Sequence, residues 1–184
     1  MKNFWHGSMI CGAAAVFAAA LSLSCATQPH PATAKAKPAA VAPLAAQEAE
    51  LRTSLAQTAA VIVGTAGALG VGYPARLAFV PDRAELLPTG MAMLDLLVGS
   101  LREYDRTEIV VAVYTDAIGS SVFNQQQAQA RAGVVVAYLQ VKGVAPVRLI
   151  ARGVGEDAQV AAPNTPEGRD LNRRLVLTIT PLSS

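Results

Sequence analysis

Apolar residues recur with two different periods in the part of the 184-residue chain that follows residue 74. They appear at every third or fourth position from about Thr89 to Tyr104 and from about Ser121 to Gln140, which predicts two helices. Four shorter runs, RLAF, EIVVAVYTD, VRLIARG and RRLVLTITP, predict strands. The order β-α-β-α-β-β predicts an α/β (α+β) fold, a two-layer sandwich with the helices packed on one face of a mixed sheet.

The first 24 residues have the pattern of a signal peptide. One lysine is followed by an apolar run from Met9 to Leu23, about 15 residues. A membrane-spanning helix needs roughly 18 or more, so we predict a secretory signal in residues 1–24. The segment LSLSC that ends it resembles a bacterial lipobox, in which Cys25 becomes the acylated first residue. Cleavage by ordinary signal peptidase near Ala26 is the alternative.

The segments that follow predict a tether and a short ordered stretch. Residues 25–47 are rich in Ala and Pro and have no apolar periodicity, which is typical of an extended tether. Within residues 48–73, helical spacing predicts a short helix from Glu48 to Val63, and the glycines after it predict a connection. The folded domain is predicted to occupy residues 74–184.

Charge and residue usage exclude several classes of function for that domain. Of 15 basic residues, only Lys2 lies in the predicted leader, which leaves 14 against 13 acidic residues. This balance argues against a nucleic-acid partner held by a basic surface. All cysteines and histidines lie before residue 31, at Cys11, Cys25, His6 and His30. The domain therefore has no disulfide, no thiol or histidine catalysis and no Cys or His metal site, and we expect no cofactor.

The stretch VYTDAIGSSVFNQQQAQARA contains an isolated pair of opposite charges. After Asp116 no charge occurs until Arg131, fifteen positions later. Asn124, Gln127, Ala128 and Arg131 share one face of the predicted helix, and helical side chains lean toward the N-terminus. Asp116 and Arg131 are therefore either a salt bridge that neutralises itself or the two ends of a slot for a ligand.

Four blocks resemble the OmpA-like peptidoglycan-associated domain family, over about Leu77 to Leu182. They are FVPDRAELLPTG, YTDAIGSSVFNQQQAQARA, GVAPVRLIARGVGE and NTPEGRDLNRRL, in that order. The chain departs from the family pattern at Val113 and Tyr114, where members usually carry Gly-His. It departs again at Gln127 and Ala128, where they often carry Leu-Ser. The family's early Phe-Asp-Phe-Asp pattern is reduced to Phe79, Val80, Pro81 and Asp82.

The resemblance implies a binding site without chemistry. Similar proteins lie in the Gram-negative envelope and hold the diaminopimelate of the peptidoglycan stem peptide. Carried over to this chain, the resemblance and the residues around it predict a ligand site made of Asp116, Arg131, Thr115, Asn124, Asp82 and Arg173. Of the two arginines that open the last strand, one is expected to face the pocket, and Arg174 is the one expected to be structural.

Three hypotheses for function follow. The first is a non-catalytic wall-binding module at the periplasmic face of the outer membrane, joined to it by a lipid on Cys25. The second is an envelope assembly protein, with protein partners and weakened or lost peptidoglycan binding. The third, a hydrolase, could use only loop carboxylates such as Glu156 and Asp157, which are usually solvated; we therefore expect no enzyme activity and no metal.

Overall fold

The computed structural model describes residues 44–65 and 67–182. The predicted signal peptide, Cys25 and most of the predicted tether lie outside the described residues. Among the described residues, no helix is long and apolar enough to cross a bilayer.

The structure is a five-stranded mixed sheet with helices packed on it, which confirms the predicted fold class. The sheet has the order β1-β2-β5-β3-β4, in which only β3 and β4 are parallel. The elements are α1 (Leu44–Ser54), β1 (Val61–Thr65), β2 (Ala68–Pro74), α2 (Ala75–Ala78), α3 (Pro88–Glu103), β3 (Thr107–Tyr114), α4 (Ser121–Val141), a 3-10 turn (Pro146–Arg148), β4 (Leu149–Gly155), α5 (Pro166–Asn172) and β5 (Arg174–Pro181).

The core lies between the sheet and the helices α1, α3 and α4. Alternate residues of β5 are fully buried, at Leu175, Leu177 and Ile179, while the residues between them are partly exposed. They pack in one cluster with helical side chains such as Leu97 of α3 and Leu139 of α4. Burying a side chain of this size contributes about 1.5–3 kcal/mol, so this shared face specifies the register of the sheet.

The N-terminal part of the fold differs from the prediction. The first helix runs from Leu44 to Ser54 rather than from Glu48 to Val63, so it begins inside the predicted tether, and the chain then enters the edge strand β1. The β-branched run from Val61 to Val63 favours a strand over a helix. The glycine-rich segment after it is not a simple connection, because β2 pairs with β5 from Leu69 to Pro74. The fold therefore begins before the predicted boundary at residue 74.

A second difference concerns RLAF, which forms the one-turn helix α2 and not a strand. The Ala75 amide donates to the Arg173 carbonyl at 3.0 Å, and the Phe79 amide donates to the Ala75 carbonyl at 2.9 Å. A run of four residues, three of them apolar, is too short to separate a helical from an extended period. The long polar connection likewise contains α5, which begins where the Thr165 hydroxyl accepts from the Gly168 amide at 3.1 Å.

The helix α4 lies unusually close to β4, at Gly153. A Cβ atom at this position would overlap the backbone of Gln129, so the contact requires glycine. Two side chains of α4 reinforce it: Gln129 Oε1 accepts from the Gly153 amide at 2.7 Å, and Gln125 Nε2 donates to the Gly153 carbonyl at 2.8 Å. This contact fixes the height of α4, and with it Arg131, above the sheet.

We expect Gly153→Ala to lower the free energy of unfolding by about 1–3 kcal/mol, because the helix backbone must move to admit the methyl group. Gly133→Ala is the control: it adds the same atom to α4 where nothing lies within 4 Å. That change should leave stability unchanged or raise it by up to about 1 kcal/mol. Urea unfolding of both variants measures the difference, and equal stability would refute the close contact.

Candidate functional site

An open pocket of about 490 Å³ lies at the C-terminal end of β3. Its walls come from α2 and the loop that follows it, from the loop between β3 and α4, from the first half of α4 and from the residue before β5. All six predicted site residues line it: Asp82, Thr115, Asp116, Asn124, Arg131 and Arg173. The structure therefore brings the predicted residues together, and their contact with a ligand stays a prediction.

Asp116 is paired with an arginine, but not with Arg131. Its Oδ2 forms an ion pair with Arg173 Nη1, and its Oδ1 accepts from the Ile118 amide at 3.2 Å. Arg173 also forms an ion pair with Asp170 of α5, so one guanidinium bridges two carboxylates. The group of three side chains carries one net negative charge.

Arg131 is buried in the pocket wall and held by backbone. Its Nε donates to the Arg83 carbonyl at 2.9 Å, and its guanidinium carbon lies 5.1 Å from the centre of the Phe79 ring. Burial lowers the pKa of the Arg131 guanidinium, the charge of Asp82 raises it and the charge of Arg173 lowers it. In the described part of the chain no carboxylate forms an ion pair with it. Asp116 and Arg131 are thus two separate charged groups.

Asn124 and Thr115 shape the loop that carries Asp116. The Asn124 amide donates to the Ile118 carbonyl at 3.1 Å and to Glu156 Oε2 at 2.7 Å. The Thr115 amide donates to the Gly155 carbonyl at 2.8 Å, while the Thr115 hydroxyl is buried without a partner. The loop turns at a glycine with φ of 97° just before α4. Asn124 therefore acts first on the loop.

Asp82 and Arg173 both line the pocket. Asp82 has an exposed side chain and a φ of 55°, a left-handed conformation that Asp adopts more readily than most residues. Arg173 lines the pocket, whereas the guanidinium of Arg174 stacks on the ring of Tyr114, 3.8 Å from its centre. Neighbouring residues of an extended chain face opposite ways, which accounts for the separation.

The departures from the family pattern lie partly in the core and partly in the pocket. Val113 and Ala128 are fully buried in the core, and the Tyr114 ring packs against the Arg174 guanidinium. Gln127 lines the pocket, and so do Phe79, Pro81 and Asp82 of the reduced Phe-Asp-Phe-Asp pattern. The charged groups Asp116, Arg131 and Arg173 remain in place.

Several residues of the site were not predicted from the sequence. Phe79 supports Arg131, Asp170 holds Arg173, and Glu156 accepts from Asn124. Phe79 could have been identified, because it opens the first block of the family resemblance. Asp170 could not, since its role depends on the helix α5. Within the described residues, no three acidic, His or Cys side chains are placed to hold a metal ion.

The chain belongs to the OmpA family, whose pattern matches residues 78–173. It is 32% identical over 136 residues to the probable lipoprotein YiaD of Escherichia coli K12, which covers 74% of this chain and 62% of that protein. It is 32% identical over 103 residues to the peptidoglycan-binding protein ArfA of Mycobacterium tuberculosis H37Rv, which covers 56% of this chain and 32% of that protein. The chain thus spans less than two thirds of either relative.

A solved structure supports the fold. The MotB-like protein of Desulfovibrio vulgaris superposes with a TM-score of 0.70 at 22% identity, over 78% of this chain and 94% of that one. At this level of identity the likeness shows the architecture alone.

We expect Asn124→Ala to lower the free energy of unfolding by about 1–3 kcal/mol, because it leaves partly buried acceptors without a donor. It should also speed amide hydrogen exchange in residues 116–120. The matched control is Gln126→Ala, on the exposed face of the same helix. Urea unfolding and hydrogen exchange measure both effects. Unchanged exchange in this loop would show that Asn124 does not brace it.

Proposed function

We propose that the protein is a non-catalytic peptidoglycan-binding module, which grips the diaminopimelate of the stem peptide in this pocket. The observation that carries the proposal is the position of Arg131: a buried cation, fixed by backbone and unpaired with Asp116, opens on the same pocket as that carboxylate. A self-neutralising pair would leave nothing for a ligand to bind.

The charges of the pocket match the free end of diaminopimelate, which carries an ammonium and a carboxylate on one carbon. The Arg131 guanidinium has five N–H donors. Carbonyl groups of the loop accept from some of them, and the others suit a carboxylate. The ammonium goes to the group of Asp116, Arg173 and Asp170, which has a spare negative charge. Thr115, Asn124 and Asp82 complete the proposed contacts.

Charge-assisted hydrogen bonds of this kind contribute about 1.5–3 kcal/mol each when shielded from water. A few of them, less the cost of ordering the ligand, support an affinity in the micromolar range or weaker. Sacculi present many copies of the stem peptide, so a protein fixed near the wall would be retained more strongly than one site suggests.

The place in the cell follows from the N-terminal segment. We propose that Cys25 is acylated and that a tether of residues 25–43 joins an outer-membrane anchor to the wall-binding domain on the periplasmic face. The similarity to a probable lipoprotein supports an anchor, and the name of ArfA supports peptidoglycan as the ligand.

Intact-mass measurement of membrane-extracted protein should give an acylated chain that begins at Cys25. An unmodified chain beginning near Ala26 would refute the anchor.

One observation favours the second hypothesis, an envelope interaction protein with weakened binding. Asp116 already has Arg173 beside it, so a ligand ammonium must compete for this carboxylate. The same binding experiment separates the two, since only the wall-binding module is retained by purified sacculi.

We expect Asp116→Asn to weaken binding to purified sacculi at least about tenfold, because the change removes the charge and keeps the shape. Arg131→Lys should have a similar effect, since lysine keeps the charge and loses the planar fork. Co-sedimentation over a range of protein concentrations measures both.

The controls are the same chemical changes at exposed positions outside the pocket, Asp157→Asn and Arg152→Lys. Both should sediment like the wild type, and thermal unfolding should show that all four variants fold. Retention of Asp116→Asn and Arg131→Lys at the wild-type level would end the proposal.

A further inference from the structure

A third arginine lines the pocket without an anion beside it. Arg76 lies in α2, its side chain is exposed, and within the described residues it forms no ion pair. The other two arginines of the pocket are engaged: Arg131 by the loop and Arg173 by two carboxylates.

The backbone that carries Arg76 is fixed at both ends. At its start, the Ala75 amide donates to the Arg173 carbonyl at 3.0 Å. At its end, the Thr89 hydroxyl donates to the Leu77 carbonyl at 2.6 Å, and the Leu87 amide donates to the Ala78 carbonyl at 2.9 Å. A guanidinium on a fixed turn can meet a ligand with less loss of backbone entropy than one on a free loop.

The other charged groups of the site have assigned partners, and Arg76 does not. The group of Asp116, Arg173 and Asp170 has one spare negative charge for the ligand ammonium. Arg131 takes the carboxylate on the same ligand carbon. Among the described residues that line the pocket, Asp82 is the other carboxylate, and its charge acts on Arg131. Arg76 forms no ion pair with Asp82 or with any other carboxylate of the described residues, so its guanidinium can bind a further anion of the ligand.

We propose that Arg76 binds a second carboxylate of the stem peptide, the one at the far centre of diaminopimelate where a tripeptide stem ends. This inference rests on the proposed function and specifies the form of the ligand. Stems that end in a free carboxylate are preferred over stems in which this carboxylate is amidated. The preferred residue carries one ammonium and two carboxylates, so it offers one carboxylate to Arg131 and the other to Arg76.

The test uses two synthetic peptides, L-alanyl-γ-D-glutamyl-meso-diaminopimelate and the same peptide amidated at the carboxyl group of its terminal L centre. Isothermal titration of the wild type should give about three- to fivefold tighter binding of the free acid, as for an ion pair open to solvent. The difference should shrink as salt is raised. Arg76→Gln should bind both peptides equally, at the wild-type affinity for the amide, and Arg76→Lys should keep most of the preference.

Arg152→Gln is the control, because it removes an exposed arginine outside the pocket and should keep the full preference. A wild type that binds both peptides equally, or an Arg76→Gln variant that keeps the preference, would overturn this inference and leave the proposed function standing. A wild type that binds neither peptide would overturn both.

Discussion

The fold buries all but 8% of Arg131 in the pocket wall, and within the described residues no carboxylate forms an ion pair with its guanidinium. Burying a charge costs several kcal/mol unless polar groups replace its hydration. Here the replacement comes from the Arg83 carbonyl and the face of the Phe79 ring. The loop between α2 and α3 is shaped around this cation, and the close approach of Gly90 to the backbone of Ala78 fixes where the loop ends.

A second buried arginine shows what a structural role looks like in the same fold. Arg148 donates to the carbonyls of Thr107, Leu101 and Tyr104 and to the Thr107 hydroxyl, at 2.7–2.9 Å. All three of its guanidinium nitrogens are engaged, so it ties the ends of α3 and β3 to β4 and offers nothing to a ligand. Arg131 has fewer partners and opens on a pocket. The number of guanidinium donors without a protein partner therefore distinguishes a structural arginine from one that can bind a ligand.

Periodicity predicts where α3, β3, α4 and β5 lie along the chain. It does not define the buried face of α4, where Val135 is buried between the partly exposed Val134 and Val136 and the apolar Val141 is 85% exposed. It misses the pairing of β2, since Gly70 and Gly72 have no side chain to mark a face and the strand depends on β5, far along the chain. Asp116 and Arg131 could be identified from the sequence as charged groups of the site, because no other charge lies between them. The partner of Asp116 could not, since Arg173 lies 57 positions away and reaches it only through the start of β5.

In the proposed complex, the pairing of Asp116 with Arg173 determines which charged group of the diaminopimelate end fixes its orientation. An ammonium that reaches Asp116 must displace one side of a bridge whose arginine is 38% exposed, and Arg173 keeps Asp170 when it does so. The Asp116 side chain is only 12% exposed, so the ligand ammonium replaces one charge-assisted contact of this carboxylate with another of the same kind and gains little. Hydrogen bonds to the buried Arg131 are less screened and gain more. In the proposed complex we therefore expect the ligand carboxylate to set the binding geometry and the ammonium to follow it.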